Sequence, residues 1–423
     1  MKKKVLFTIK MALVVIITLT VTTTMAQEAD VYVVGKDGNK TYKLWKNGQE
    51  TTLTTYGYAN SVFVSEGDVY VAGAEGTLTA YGVRHIAKVW KNGVAIDLTD
   101  GKKDAYAESV YVVGNDVYVA GYESFGPTNT LLDKIIVAKV WKNGVETALS
   151  SSSYALSVFV SGNDVYAAGY GEGENGKMVA ILWKNGNPTF LSDGTESACA
   201  RSVYVSGNDV YVAGDESRNT NIIAKLWKNN TPTNLTEGIT SAYARSVFVA
   251  GNDVYVVGYE VPGGGLRTIA KYWKNGKAIN LTDGTTRSFA HSIFVSDNDI
   301  YVTGTVDTGS GTATIWKNGE ATALTNGTNS ATASSVFVVK KNGVNISDKS
   351  KSNIKLYPNP ANDFITIDNL TGNETIEISN LSGQLLLKDK ASFSTEQIAI
   401  SHLPAGVYFV RIDNKQTIEF IKK

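Results

Sequence analysis

Between Asp30 and Val338 the apolar positions fall into three phrases, each said seven times. The first, S-V-F/Y-V, begins at Ser61, Ser109, Ser157, Ser202, Ser246, Ser292 and Ser335, with Ile293 replacing valine in one copy. The second, D-V-Y-V-x-G or a close variant, begins at Asp30, Asp68, Asp116, Asp164, Asp209, Asp253 and Asp299. The third, W-K-N-G, begins at Trp45, Trp90, Trp141, Trp183, Trp227, Trp273 and Trp316, with Asn230 in place of the glycine in the fifth copy. β-Branched and aromatic residues of this density predict strands. Asn-Gly after the tryptophan and short Gly-Asn turns between the first two phrases predict hairpins. A fourth strand follows each tryptophan phrase, as in Val94–Leu98. The strands are apolar on both faces, the pattern of sheets covered on both sides. Tryptophan spacings of 45, 51, 42, 44, 46 and 43 residues match one four-stranded propeller blade per repeat.

The ends of the array complete each other. The first repeat lacks its S-V-F-V strand, and the last, Ser335–Val338, has that strand with no D-V-Y-V after it. The expected fold is therefore all-β: a seven-bladed β-propeller over 27–339, closed by a strand from its C-terminal end, because an open blade face invites association. The tryptophans, fixed just before a tight turn, are read as packing between blades. The repeated aspartates are read as turn residues.

Antiparallel order also predicts where recognition lies. The short G-N-D and K-N-G turns share one face, and every variable loop emerges on the other, including the segment Tyr122–Lys134. Two registers on that face differ between blades. After the glycine of D-V-Y-V-x-G come Lys36-Asp37, Ala74-Glu75, Tyr122-Glu123, Tyr170-Gly171, Asp215-Glu216, Tyr259-Glu260 and Thr305-Val306. Before the innermost strand, in Y-A-x-S and its variants, x is Asn60, Glu108, Leu156, Arg201, Arg245, His291 and Ser334. From these, Tyr122, Glu123, Tyr170, Asp215, Glu216, Tyr259, Glu260, Asn60, Glu108, Arg201, Arg245 and His291 are the candidate ligand-binding residues. Tyrosines with acids and arginines suit a sugar or a peptide.

Composition narrows the function. The chain opens MKKKVLFTIKMALVVIITLTVTTTMAQ, a basic stretch, a short apolar run and small residues at Thr24 and Ala26. This reads as a secretory signal over 1–26, its apolar core too short to span a bilayer. Without the leader lysines the chain carries 36 basic and 40 acidic residues, a balance of −4. No basic patch stands out, so no nucleic-acid partner is expected. One cysteine, Cys199, leaves no intramolecular disulfide. The histidines His85, His291 and His402 lie in unrelated contexts, and no phosphate loop, nucleophile elbow or HExxH is present, so neither metal nor cofactor is expected. Asp100-Gly101 and Asp283-Gly284 are read as turns rather than calcium ligands. The blades lack the S-x-D-x-G-x-T-W box of sialidase-like propellers and the WD40 and kelch signatures. A carboxylate pair across the channel would still make a glycosidase, with Glu108 and Glu123 as the candidates in principle.

Residues 340–353 read as a polar linker, and 354–423 as short alternating strands of a small β-sandwich. This segment carries YPNPA at Tyr357–Ala361, LSGQ at Leu381–Gln384, LPAGVYFVRI at Leu403–Ile412 and a lysine-ended terminus, Lys422-Lys423. It resembles the type A C-terminal sorting domain of type IX secretion. The resemblance implies passage through the periplasm, handling by the type IX machinery, and release or attachment at the outer surface. The family's prolines and glycines fall on Pro358, Pro360, Gly383 and Gly406, beside Tyr357 and Asn359, and are expected in turns. The resemblance does not reach the propeller.

The sequence therefore predicts a secreted or surface-displayed, monomeric propeller that binds an extracellular glycan or protein, with no transmembrane segment in the mature chain. The competing expectations are a propeller enzyme acting on polysaccharide and a surface-coat protein without a discrete ligand.

Overall fold

A four-stranded sheet that is apolar on both faces needs a neighbour on each side. The computed structural model shows how the chain meets that need; it describes residues 29–79, 82–125, 135–263, 267–307, 309–341, 354–370, 372–380, 384–413 and 416–423. The leader, residues 126–134 of the long loop, residues 342–353 and Gly383 lie outside the described residues. The chain divides into two compact units, Met1–Lys341 and Asn342–Lys423.

The first unit contains seven four-stranded antiparallel sheets among the described residues. Strands are lettered a to d from the innermost outward. In blade 3 they are Asp104–Val113, Asp116–Phe125, Ile135–Lys142 and Val145–Ser151. Blade 1 joins both ends of the array: Ala331–Lys340 is its strand a, and Ala29–Asp37, Thr41–Lys46 and Gln49–Thr54 are b to d. Each strand a neighbours the next around the ring, and Ala331–Lys340 neighbours Gly57–Ser65 of blade 2. The propeller thus has seven blades and is closed.

The repeated residues hold it together in four ways. Every tryptophan is at most 2% exposed, and each lies in an apolar cluster that joins its own blade to the preceding one. Trp141 of blade 3 packs with Tyr70 and Val89 of blade 2, and Trp45 closes blade 1 onto Tyr301 of blade 7. The serine of S-V-F-V accepts the backbone N–H of a residue in the next blade's strand a, at Ser61–Val110, Ser109–Val158, Ser157–Val203, Ser202–Val247, Ser292–Val336 and Ser335–Val62, over 3.1–3.3 Å. Those amides lie on the inner strand, where no fifth strand is present to pair them.

The aromatic residue of the same phrase makes a ring. Phe63, Tyr111, Phe159, Tyr204, Phe248, Phe294 and Phe337 touch in sequence and close on themselves, with centroids 4.6–4.9 Å apart and planes tilted by 44–54°. Seven such centroids lie on a circle of radius about 5.5 Å, in tilted contacts that aromatic pairs favour. The ring narrows the channel towards the short-turn face.

The aspartate is more than a turn residue. In every blade the asparagine of W-K-N-G donates to it over 2.7–2.8 Å. The same asparagine accepts the N–H of the residue after the aspartate over 2.8–2.9 Å. The lysine of W-K-N-G pairs with the aspartate's other oxygen, 2.7 Å away in six blades and 3.3 Å in the first, and lies over the tyrosine ring of D-V-Y-V. The asparagine itself sits at φ 50–53°, as the first residue of a two-residue hairpin turn requires.

Each strand a carries a β-bulge between the alanine of Y-A-x-S and the serine that opens S-V-F-V, as at Ala107/Ser109. The bulge explains the glycine that ends D-V-Y-V-x-G. A Cβ on Gly121 would stand 2.0 Å from the carbonyl oxygen of Tyr106. Only glycine lets the two backbones approach so closely.

The second unit is a sandwich of a three-stranded and a four-stranded sheet around Ile365, Ile367, Ile376, Ile378, Val410 and Phe420. Pro358 and Pro360 follow cis peptide bonds. Between them, Asn359 donates to the Glu419 carbonyl at 3.0 Å and accepts the Ile421 N–H at 2.9 Å. The N–H of Lys423 donates to the Ala361 carbonyl, so YPNPA grips the final strand, which ends at Lys422. Tyr357 donates to Asp368 at 2.5 Å. Gly406 departs from the expected turn: residues 400–403 make the turn, through Leu403 N–H to Ile400 carbonyl, and Gly406 opens the strand Gly406–Ile412.

Because each tryptophan fills a seam between two blades, Trp141→Ala is expected to cost about 3–5 kcal/mol of stability, read from the shift in a guanidinium unfolding midpoint.

Candidate binding face

The x residues occupy the bulges. A bulge leaves its extra residue unpaired and re-aims its side chain. Neighbouring x residues consequently meet: Asn60 donates to Glu108 of the next blade, and to the Ala107 carbonyl, at 3.1 Å each. Glu108 and His291 keep some contact with solvent although protein crowds them. Burial pushes the Glu108 carboxyl up to about 7. Burial, then the Arg245 charge, holds the His291 imidazole down to about 4. Arg201 forks onto Asp215, Nε to Oδ2 at 2.5 Å and Nη2 to Oδ1 at 3.2 Å. Arg245 lies over the rings of Tyr243 and Tyr259 and donates to the Tyr259 hydroxyl at 2.7 Å.

The first of the two loop registers joins this set. Tyr122 pairs across the sheet with Tyr106, and Tyr170 with Tyr154, in stacked geometry with centroids 5.1 and 4.7 Å apart. Tyr122 also touches Tyr154 of the next blade, 4.8 Å away. Tyr42 and Tyr58 extend the row, with His85 between Tyr58 and Tyr106. The result is an aromatic arc across blades 1 to 4. Tyr58, at its near end, is 37% exposed and presents usable ring surface. His85 is fixed by Asp104, which accepts its backbone N–H at 2.7 Å, and by the Tyr106 hydroxyl, 2.7 Å from Nδ1. On blades 6 and 7 a shorter run joins Tyr243, Tyr259, Phe289 and His291.

The second register does not join it. Successive residues of a strand point to opposite faces, so Glu123, Glu216 and Glu260 turn away from the tyrosines and aspartate before them. Lysines of strand c take them up: Lys139–Glu123 and Lys225–Glu216 at 2.6 Å, and Lys271–Glu260 in direct contact. Glu123 is 5% exposed and also faces Lys103, so it cannot serve as partner to Glu108 in a hydrolytic pair. These acids are scaffold charges.

Sequence reasoning missed three groups. The tyrosines of Y-A-x-S were legible: they stand opposite the first register in an antiparallel ladder. The acid–lysine pairs were legible too. Lysine stands two residues before tryptophan at Lys43, Lys88, Lys139, Lys225 and Lys271, in the same five blades whose second register is acidic; blades 4 and 7 have Ile181 and Thr314 there, and Gly171 and Val306 in the second register. Nothing in the sequence marks Tyr42 or His85.

Two clefts open on the short-turn face, one of about 290 Å³ between blades 2 and 3 and one of about 240 Å³ between blades 3 and 4. Their polar walls are residues of the aspartate–asparagine–lysine network, such as Asp68, Lys91 and Asn143, which are already bonded to one another or to equivalents in their own blade. Among the described residues no group of histidines, cysteines and acids could hold a metal ion, and no helix is long and apolar enough to cross a membrane.

Comparison with known proteins separates the two units. Residues 355–423 match the family described as the secretion system C-terminal sorting domain. That domain directs export by type IX secretion to the cell surface or the medium. No curated protein matches the chain. Among solved structures, PorZ, a surface component of the type-IX secretion system of Porphyromonas gingivalis, is 11% identical, with a TM-score of 0.31 over 93% of this chain and 74% of that one. The β-propeller domain of the Trilobed protease from Pyrococcus furiosus is 11% identical, with a TM-score of 0.43 over 72% and 96%. A puromycin-hydrolyzing peptidase from Mycobacterium tuberculosis is 9% identical, with a TM-score of 0.48, and this chain spans 58% of its length. At these values the three bear on no residue of the binding face.

The two shifted groups at the channel mouth have opposite signatures. Glu108 binds its proton more tightly when folded, so its stabilising share is full at low pH and is lost as pH rises through about 7. His291 is depressed, so its share is full above the ordinary histidine value and is lost as pH falls towards about 4. Glu108→Gln is therefore expected to gain on the wild type by up to about 3 kcal/mol between about pH 5 and pH 8. Urea midpoints at the two pH values check this; a constant difference would contradict it.

Proposed function

We propose that this exported propeller is a monomeric binding module whose variable-loop face takes up an extracellular glycan. The observation that carries the reading is the aromatic arc from Tyr42 to Tyr170, which ends beside the polar bulge residues of the channel mouth. Flat aromatic surface next to convergent hydrogen-bonding groups is the chemistry by which a protein grips a sugar ring. The internal repeat supports the same face. Repeated residues serve the packing between blades, whereas x and the first register differ from blade to blade and make no seven-fold network.

Binding is favoured over hydrolysis by the state of the carboxylates. Glycoside hydrolysis needs two carboxyl groups on opposite sides of the scissile bond, roughly 5–9.5 Å apart. Of the acids in the two inward registers, Asp215 is forked by Arg201 and Glu108 holds its proton to about pH 7. Glu123 is locked onto Lys139. This leaves Glu108 without a free second carboxylate among the described residues.

A glycan-array screen of the purified protein tests the reading. Selective binding is expected, with at least a tenfold loss of affinity in a Tyr122→Ala, Tyr170→Ala double variant. A folded protein that binds no glycan, or a double variant that binds as well as the wild type, would overturn it.

A further inference from the structure

The channel mouth holds a guanidinium that forms no ion pair with an acid among the described residues. Arg201 and Arg245 stand at the bulges of adjacent blades, and one carboxylate, Asp215, serves Arg201 alone by hydrogen bonding. Arg245 has no acidic partner among the described residues. Its Nη2 donates to the Tyr259 hydroxyl at 2.7 Å. Its Nε is enclosed and makes no hydrogen bond. Its guanidinium lies 5.5 Å from the Tyr243 centroid and 5.2 Å from that of Tyr259. The rings hold the guanidinium in place and soften its burial, but they carry no charge.

Its neighbours do not compensate. His291, in the next blade, stays neutral above about pH 4. The second-register acids of the same blades, Glu216 and Glu260, are bound to Lys225 and Lys271 and point to the other face of the sheet. Arg201 shows what a satisfied guanidinium looks like in this fold, and Arg245 is the same residue type at the equivalent position of the next blade without the carboxylate. The first register explains the difference: blade 5 has Asp215 where blade 6 has Tyr259.

We propose that Arg245, framed by Tyr243 and Tyr259, is an anion subsite that takes the acidic group of a charged sugar, so that the ligand is an acidic rather than a neutral glycan. This rests on the glycan reading above and narrows it. A planar guanidinium suits a carboxylate or a sulfate ester, which share this chemistry. Tyr259 is 8% exposed and backs the charge, whereas the half-buried Tyr243 offers ring surface beside it, so the sugar that bears the acid can stack there while its acid is paired.

The test is direct binding by calorimetry of the full secreted protein to three probes: an oligogalacturonate, a sulfated galactan oligosaccharide and a neutral galactan oligosaccharide. The wild type is expected to bind one or both acidic probes at least about tenfold more tightly than the neutral one, with affinity falling as salt is raised. Carboxylate and sulfate are told apart by which acidic probe wins. Arg245→Gln is expected to abolish that preference, and Arg245→Lys to keep part of it. Equal binding of acidic and neutral probes by the wild type would overturn the anion subsite and leave the glycan reading standing, and this comparison needs no variant. An unchanged preference in a folded Arg245→Gln protein would also overturn it. A folded wild type that binds no glycan on a broad array would remove both readings. Arg245-dependent capture of an acidic peptide, with no sugar bound, would keep the anion site and overturn the sugar.

Discussion

A blade with two apolar faces cannot stand alone, and the rest of the structure follows from covering both. Each blade must be packed on either side, so the array must either cap its ends or close. Here it closes, by giving blade 1 its inner strand from Ala331–Lys340 and its other three from the start of the array. One tryptophan per seam fills the space between blades. Serine bonds register six of the seven inner strands on the next, and the ring from Phe63 to Phe337 fixes how many blades fit. An aromatic ring with centroid contacts below 5 Å at every junction has no room for an eighth member and no gap for a missing one.

Closure divides the labour between residues. The two faces of the ring are made by different turns, and the chain spends its repeated polar residues on one of them. Aspartate, asparagine, lysine and tyrosine lock strands b and c and their turns together seven times over. The other face keeps its freedom because the bulge in strand a places one residue per blade outside the ladder. At that place the seven blades carry six residue types: Asn60, Glu108, Leu156, Arg201, Arg245, His291 and Ser334. A position that leaves the backbone pairing intact whatever its side chain is where a repeat protein can vary most cheaply.

Much of this was legible in the sequence. The tryptophan spacing gave blade count, the incomplete first and last repeats gave closure, and antiparallel order gave the separation of short turns from variable loops. YPNPA and the lysine-ended terminus gave the export domain. What was misread turned on the two-residue period of a strand. Tyr122 and Glu123 are neighbours in the chain but face opposite sides, and only the tyrosine reaches the mouth. The lysine two residues before tryptophan, present only where the acid is present, carried that information between blades. The tryptophan ring nitrogens show what repetition does not explain: Trp183 donates to Ser150 and Trp227 to the Leu191 carbonyl, whereas those of Trp45, Trp141 and Trp273 are enclosed without a partner. We have no physical account of that difference. His85 and Tyr42 were invisible because their place depends on how adjacent blades lean together.

The role proposed for the bulge residues is recognition, with no part in holding the fold. It is tested most directly by giving blades 3, 6 and 7 the residue that blade 1 already has, in a Glu108→Ser, Arg245→Ser, His291→Ser protein, and measuring its thermal unfolding. A cooperative transition at or above the wild-type temperature is expected, because three half-buried ionisable groups have been replaced by a side chain the fold already accepts at Ser334. A variant that fails to fold, or melts well below the wild type, would show instead that these side chains hold the propeller together.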